Sequence, residues 1–550
     1  MARKPRRAAI INASGSPKVV LPSTSRASAA PAAANSLLPT SAIAVRLGKW
    51  SLTVRRAEAV ALLVITVLAG VLLLKNLGDR SLWQDEAQTA LLAKTVLTDG
   101  IPRGTDGKNY FSQELGIEYW GNYVYRWHTW LSFYLVAGSF AVFGTNTFAA
   151  RLPCALLGLA SVPLVYVTAR SLWQSRRAAA LSAILLTTCV PFLILSRQCR
   201  YYSACIFFSL LGLWAYDRLL QRRRGAALWF VAAAVLLFHA FYFYWGVLAA
   251  TVLIHAAIFR RDRLLAVALW TTCSFLLVLP WLIWYFWPPA AVYPDTAQSP
   301  PIASLAQLYL IKIFQHVFSP TLFAILGIAA AAEWIRRGRF PTPDIATRRT
   351  ATLFMLFTGI CIVALAVATP NYFFRYLAPV IPLLCMLGGR ILESAMRFNP
   401  AVGVVGLAAI LFFSPMQDYL YEITHHYRSP AEGMAEFLET HAKPGDVVAI
   451  TYGDMPLKFY TNLRVVGGLT GEDMTPALKA RWVIERGFTL CSKDAAVRQY
   501  LSSHLSPQDY RRHVIDYPDI PYGNRECPDE HQYRTALAAP PITIWERIEQ

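Results

Sequence analysis

The sequence predicts a polytopic α-helical membrane protein with about eleven transmembrane helices and a C-terminal extracytoplasmic α/β domain. Three observations predict it. Of the 550 residues, 55% are hydrophobic and only 15% charged, too apolar a balance for a soluble chain of this length. The apolar residues come in blocks long enough to cross a bilayer. The basic residues give a formal charge of +19. They sit in short clusters between the blocks, as a topology signal does, which argues against a nucleic-acid partner.

Residues 1–56 are basic and rich in Ala, Ser and Pro. They lack the early apolar core of a signal peptide and read as a disordered, uncleaved cytoplasmic tail. The run "AEAVALLVITVLAGVLLL" (57–74) is then the first span. Later apolar blocks begin near Arg151, Arg177, Tyr201, Ala226, Leu264, Pro320, Ala351, Phe373 and Ala401. Between them lie basic clusters such as "RSLWQSRR" (170–177), "RLLQRRRG" (218–225) and "FRRDR" (259–263). If all are cytoplasmic, an even number of spans separates each consecutive pair. The stretch 226–259 therefore folds into two short spans that turn near "HAFYFYW". The same parity excludes "WHTWLSFYLVAGSFAVF" (127–143) as a span, and it becomes an interfacial helix in a long external loop, 76–150.

The transmembrane part thus covers 57–416, and from 417 to 550 the composition is that of a soluble domain. There "GDVVAITYGDMPLKFYTNLRVVGG" reads as strand, helix, strand, and "ARWVIERG" as a further strand. Its cysteines, Cys491 and Cys527, lie on the oxidising side, so a disulfide between them is open. The other cysteines are scattered, most of them in apolar segments, with no Cys/His cluster at zinc spacing, so no structural metal is expected.

Chemistry concentrates at the outer interface. "SLWQDEAQTALLAK" (81–94) places Asp85 and Glu86 just past the first span. Asp85 with Gln88 resembles a helix cap with its capping-box partner. The same carboxylates, outside the membrane, could instead accept a proton from a hydroxyl. "SRQCRYYSACIFF" (196–208) puts Arg197 and Arg200 at an outer turn, and "TPNYFFRYLAPVIPLL" (369–384) does the same for Arg375. Arginines on the side that normally lacks them suit a phosphate, which a guanidinium binds by paired hydrogen bonds, or else anchor to headgroups. The long loop also offers Glu114, Glu118, Arg126 and His128. Glu118, His128, Tyr201 and Tyr376 complete the candidate set as substrate contacts.

Four stretches in order carry a resemblance: "SLWQDEAQTALLAK", "FGTNTFAARLPCALLGLASVPLVYV", "SRQCRYYSACIFFSLLGLWAY" and "FFRYLAPVIPLLCMLGG". Together they resemble the polyprenyl-phosphate-sugar-dependent membrane glycosyltransferases of the GT-C fold class. That group contains the protein O-mannosyltransferases and the aminoarabinose transferase acting on lipid A. The resemblance covers roughly the first 390 residues. It implies that Asp85 is the catalytic base with Glu86 beside it, and that Arg200 and Arg375 meet the donor phosphate, with Arg197 as a further candidate. Two departures stand out. Relatives commonly carry an acid where this chain has Gln198, and His-Pro-Pro where it has "WHTW".

The expected function is transfer of a sugar from a polyprenyl-phosphate donor to a lipid, glycan or protein acceptor. It would take place on the periplasmic or exterior face of a bacterial inner membrane, among membrane lipids. Direct attack inverts the sugar carbon, whereas retention would need a second nucleophile. No cofactor is required, and a divalent cation is compatible without being indicated. A transporter or flippase for a lipid-linked saccharide is the alternative. Such proteins favour internal repeats and midplane charges, and neither is evident here. A scaffolding role for the external domain is a third reading.

Overall fold

The structure, a computed structural model, describes residues 42–47, 50–286, 300–338, 343–369, 372–521, 523–525 and 527–548. The described residues before Val60 and those from Val60 onward form two separate units. In the first, β1 (Ala42–Leu47) and β2 (Trp50–Arg55) pair antiparallel. This ribbon occupies the end of the stretch expected to be disordered, and the tail before it lies outside the described residues.

The helices follow the apolar blocks. They are α1 (Arg56–Leu74), α2 (Gln84–Asp99), α3 (Leu131–Phe143), α4 (Thr147–Trp173), α5 (Arg176–Thr187), α6 (Val190–Arg197) and α7 (Tyr202–Leu220). Next come α8 (Ala226–Ala240), α9 (Tyr242–Phe259), α10 (Leu264–Phe286), α11 (Ile302–His316), α12 (Pro320–Arg337) and α13 (Ile345–Ala368). A 3-10 turn, Phe374–Val380, leads into α14 (Ile381–Phe398), α15 (Pro400–Phe412) and α16 (Met416–Glu422). Polar caps set several starts. Asn146, Ser175 and Asp344 accept from the exposed N–H groups of α4, α5 and α13. The expected turn between the two short spans falls at Phe241, whose extended backbone separates α8 from α9.

Among the described residues, seven helices are long and apolar enough to cross a membrane. The number rises to ten if each of three bent pairs is one span: α5–α6 (58°), α11–α12 (78°) and α15–α16 (48°). The expected count of about eleven is reached only by adding α8, whose 15 residues span about 22 Å at 1.5 Å per residue. Like α8, the segment excluded as a span is short. With 13 residues, α3 is about 20 Å long, below the ~30 Å of a hydrocarbon core.

Within the loop after α1, α2 is packed nearly all round. Ala87, Ala90, Leu91 and Leu92 join Phe133, Val136 and Phe140 of α3 in one apolar cluster, which Met455 and Phe459 of the C-terminal region complete. A small ribbon, β3 (Tyr119–Trp120) with β4 (Val124–Tyr125), folds the rest of the loop back.

The C-terminal region has α17 (Pro430–His441), β5 (Val447–Ile450), α18 (Asp454–Tyr460), β6 (Arg464–Gly467), β7 (Trp482–Ile484), α19 (Ser492–His504), β8 (Tyr510–Pro518) and β9 (Pro541–Arg547). The strand–helix–strand reading of 445–468 and the strand at 482 match it. Its sheet runs β6-β5-β7-β9-β8, parallel at β6-β5-β7 and antiparallel beyond. Cys491 is exposed and Cys527 buried, and both are free thiols, so the open disulfide is not made.

Candidate active site

The helix that bears the acids begins two residues earlier than a cap at Asp85 requires. Trp83 is its N-cap, and Glu86 reaches back to the Trp83 N–H at 3.4 Å. Gln88 turns away to the Phe111 carbonyl (2.9 Å) and to Glu118 (3.0 Å). The capping-box reading of Asp85 and Gln88 is therefore corrected: the cap exists, and Asp85 is not it.

Asp85 points instead at two guanidiniums. Its Oδ2 accepts from Arg375 Nη1 at 3.0 Å and lies 3.7 Å from Arg200 Nη2. These residues arrive from three places: the first turn of α2, the turn between α6 and α7, and the 3-10 segment before α14. Arg200 is fixed further by Thr89 Oγ1 (2.9 Å) and the Asp85 carbonyl (3.2 Å). Burial opposes the Arg200 charge, but the Asp85 carboxylate reverses this and holds its pKa above the ordinary guanidinium value. All three side chains keep an opening, with 16% of Asp85, 13% of Arg375 and 9% of Arg200 exposed.

Aromatic rings line the same place. Tyr201 stacks on Phe241 at 4.7 Å, and Phe241 lies parallel to Tyr376 at 6.2 Å. Arg375 sits 4.3 Å over the Phe373 ring, and Arg200 lies 5.4 Å from that of Tyr201. Two adjacent cations backed by aromatic faces suit an anionic group joined to an apolar or sugar portion.

The other candidates are placed differently. Glu86 is fully buried, and Arg151 grips it with two hydrogen bonds of 2.8 and 2.6 Å. It also accepts from the Cys199 N–H (2.7 Å) and Asn524 (3.2 Å). Glu86 thus clamps α2 to α4, to the Arg200 turn and to the C-terminal region, with no lone pair directed to the opening. Arg197 donates to the carbonyls of Leu73, Lys75 and Asn76 at 2.8–3.0 Å. It closes the end of α1, with its guanidinium on those carbonyls. Glu118 is buried among Gln88, the Gln113 N–H and the Ser112 hydroxyl, and it organises the loop. His128 is boxed by Tyr125, Phe133, Tyr201 and Phe241. Burial, with Arg200 nearby, pushes its pKa down to about 3, so the ring is a neutral packing element. Gln198 is buried and donates to the Asn524 carbonyl at 3.1 Å.

Several residues escaped the sequence reading. Arg151 marked only the edge of a span, yet it holds Glu86. Tyr460 of α18 accepts from the Leu82 N–H (2.8 Å) and bonds Thr147 (2.7 Å), while Gln84 donates to Asp454 (2.8 Å). The C-terminal region therefore braces the first turn of α2. No local signal joins residues so far apart in sequence.

A helical membrane bundle whose first loop carries an acid against arginines from two later turns, backed by an α/β region, has the GT-C fold. Residues 127–284 match the family described as dolichyl-phosphate-mannose-protein mannosyltransferase. The chain is 33% identical over 115 residues to the undecaprenyl phosphate-α-4-amino-4-deoxy-L-arabinose arabinosyl transferase of Erwinia tasmaniensis, covering 20% of this chain and 18% of that protein. It is similar in structure to ArnT from Cupriavidus metallidurans bound to undecaprenyl phosphate. That likeness has a TM-score of 0.55 at 15% identity and covers 88% of this chain and 97% of the other. The Archaeoglobus fulgidus oligosaccharyltransferase follows, with a TM-score of 0.53 at 14% identity over 84% of this chain and 72% of that one. At these identities the structural likenesses establish the fold.

Proposed function

We propose that this chain transfers a sugar from a polyprenyl-phosphate donor to an acceptor hydroxyl on the extracytoplasmic side of a membrane. The observation that carries the reading is the convergence of Asp85 with Arg200 and Arg375, at 3.7 and 3.0 Å. The named relatives, one an arabinosyl transferase and one bound to undecaprenyl phosphate, support the donor class.

In the reaction, an acceptor oxygen bonds to the anomeric carbon as the bond from that carbon to the phosphate oxygen breaks. The leaving phosphate keeps the electron pair, and the acceptor proton passes to Asp85. Arg200 and Arg375 neutralise the charge that grows on the phosphate. A phosphate and the Asp85 carboxylate compete for these guanidiniums. Donor binding draws the arginines onto the phosphate and leaves a carboxylate oxygen for the acceptor. A single displacement of this kind inverts the sugar carbon. The basic clusters, read as cytoplasmic, support a position for α2 on the opposite side.

Membranes containing the protein, supplied with labelled polyprenyl-phosphate sugars, test the reading. Label should move from a lipid donor to a lipid, glycan or protein acceptor. Passage of the intact lipid-linked saccharide across the membrane without cleavage would favour a flippase.

A further inference from the structure

Outside the Asp85 site lies a second cluster, of residues that no sequence spacing brings together. His316, at the end of α11, meets Cys527 and Asp529, more than two hundred residues later in the chain. One ligand atom from each lies within 4.8 Å of the other two. Asp529 Oδ1 is the hinge, 2.8 Å from Cys527 Sγ and 3.5 Å from His316 Nε2.

Two features set this apart from an ordinary polar contact. The His316 Nε2 is buried and makes no hydrogen bond to a described residue. Its 3.5 Å separation from the carboxylate oxygen is long for a hydrogen bond. It is close to the roughly 3.4 Å between two ligands that share one tetrahedral zinc at about 2.0–2.1 Å each. The outer partners are also those of a metal site. Lys312, one turn before His316, holds the other Asp529 oxygen and so orients the carboxylate. Asp529 is 43% exposed on its side chain, which leaves the cluster reachable from outside.

We propose that His316, Cys527 and Asp529 bind a divalent zinc ion, with water in the fourth position. An imidazole, a thiolate and a carboxylate form a ligand set that selects zinc over magnesium or calcium. Binding exchanges one proton for the metal: the Cys527 thiol, now donating to Asp529, releases its proton to solvent and its sulfur bonds the ion. Two anionic ligands then balance the charge of the ion.

The site joins α11 to the 527–529 turn beside the segment that carries Arg375. The His316 ring packs edge-on against Phe374 at 5.7 Å, and Phe374 adjoins Arg375 in sequence. The metal is therefore a clamp behind the arginine segment.

The test uses untagged full-length protein in detergent, incubated with zinc, freed of loose metal and assayed for bound metal by mass spectrometry. About one zinc per chain is expected. Cys527→Ser and Asp529→Asn should each lower that content at least tenfold. Cobalt in place of zinc should show a thiolate-to-metal absorption band that Cys527→Ser abolishes. Asp529→Asn, changed at a partly exposed position, keeps the test readable if the cysteine variant fails to fold. Wild-type protein without stoichiometric metal, or variants that keep the wild-type amount, would overturn the proposal.

Discussion

Asp85 and Glu86 are neighbours that do different work, because one residue of helix turns a side chain by about 100°. Asp85 meets two arginines at an opening, while Glu86 is sealed against Arg151. Arg200→Ala and Arg375→Ala should each weaken use of the lipid donor more than use of the acceptor. Loss of a charged hydrogen bond of about 1.5–3 kcal/mol corresponds to roughly a 10- to 150-fold drop in donor affinity. Glu86→Gln should act by another route. It leaves Arg151 buried without its charge partner, a loss of about 3–5 kcal/mol that lowers the amount of folded protein in membranes. Titration of donor and acceptor separately, together with protein level, distinguishes the two behaviours. Unchanged donor dependence in both arginine variants would return those residues to anchoring headgroups. The arginines of the site were legible in the sequence because a guanidinium at an outer turn breaks the charge pattern. Arg197 breaks it equally, and only the nearby carbonyls of α1 reveal that it caps a helix.

At the scale of elements, apolar block length and basic clusters located the helices, because both reflect the bilayer directly. The break at Phe241 was readable for the same reason, whereas the shortness of α3 is seen only in the structure. What sequence could not supply was the packing around α2. Its brace comes from α18, more than 350 residues away, through the packing of Met455 and Phe459 and through hydrogen bonds such as those of Tyr460. The antiparallel β8 and β9 were also missed; their alternation is interrupted where the ladder shifts register between Ile515 and Pro518. Tyr460→Phe keeps the ring and removes both bonds, leaving the Leu82 N–H without its acceptor. Thermal unfolding of the purified variant should show a loss of about 1–3 kcal/mol. An unchanged melting temperature would mean that the Tyr460 bonds do not help brace α2.

For the whole molecule, the fold places an acidic loop, two cationic turns and an α/β region at one end of a helical bundle. The assignment of that end to the outside rests on the charge clusters. Reporter fusions after Arg177 and Arg224 should report cytoplasm, and fusions after Gly121 and Gly467 the outside. An external signal at Arg177 would make the 127–143 segment a span and invert the map. Orientation decides which pool of acceptors the site can meet, and the chemistry itself rests on one carboxylate. Asp85→Asn keeps the shape of the side chain and removes its basicity, while the cap of α2, made by Trp83 and Glu86, is untouched. The decisive measurement is the rate of sugar transfer by this variant at equal protein level in membranes. A fall of roughly 10²–10⁴-fold with donor binding retained or tightened is the predicted result. Near-normal transfer by Asp85→Asn would contradict the account.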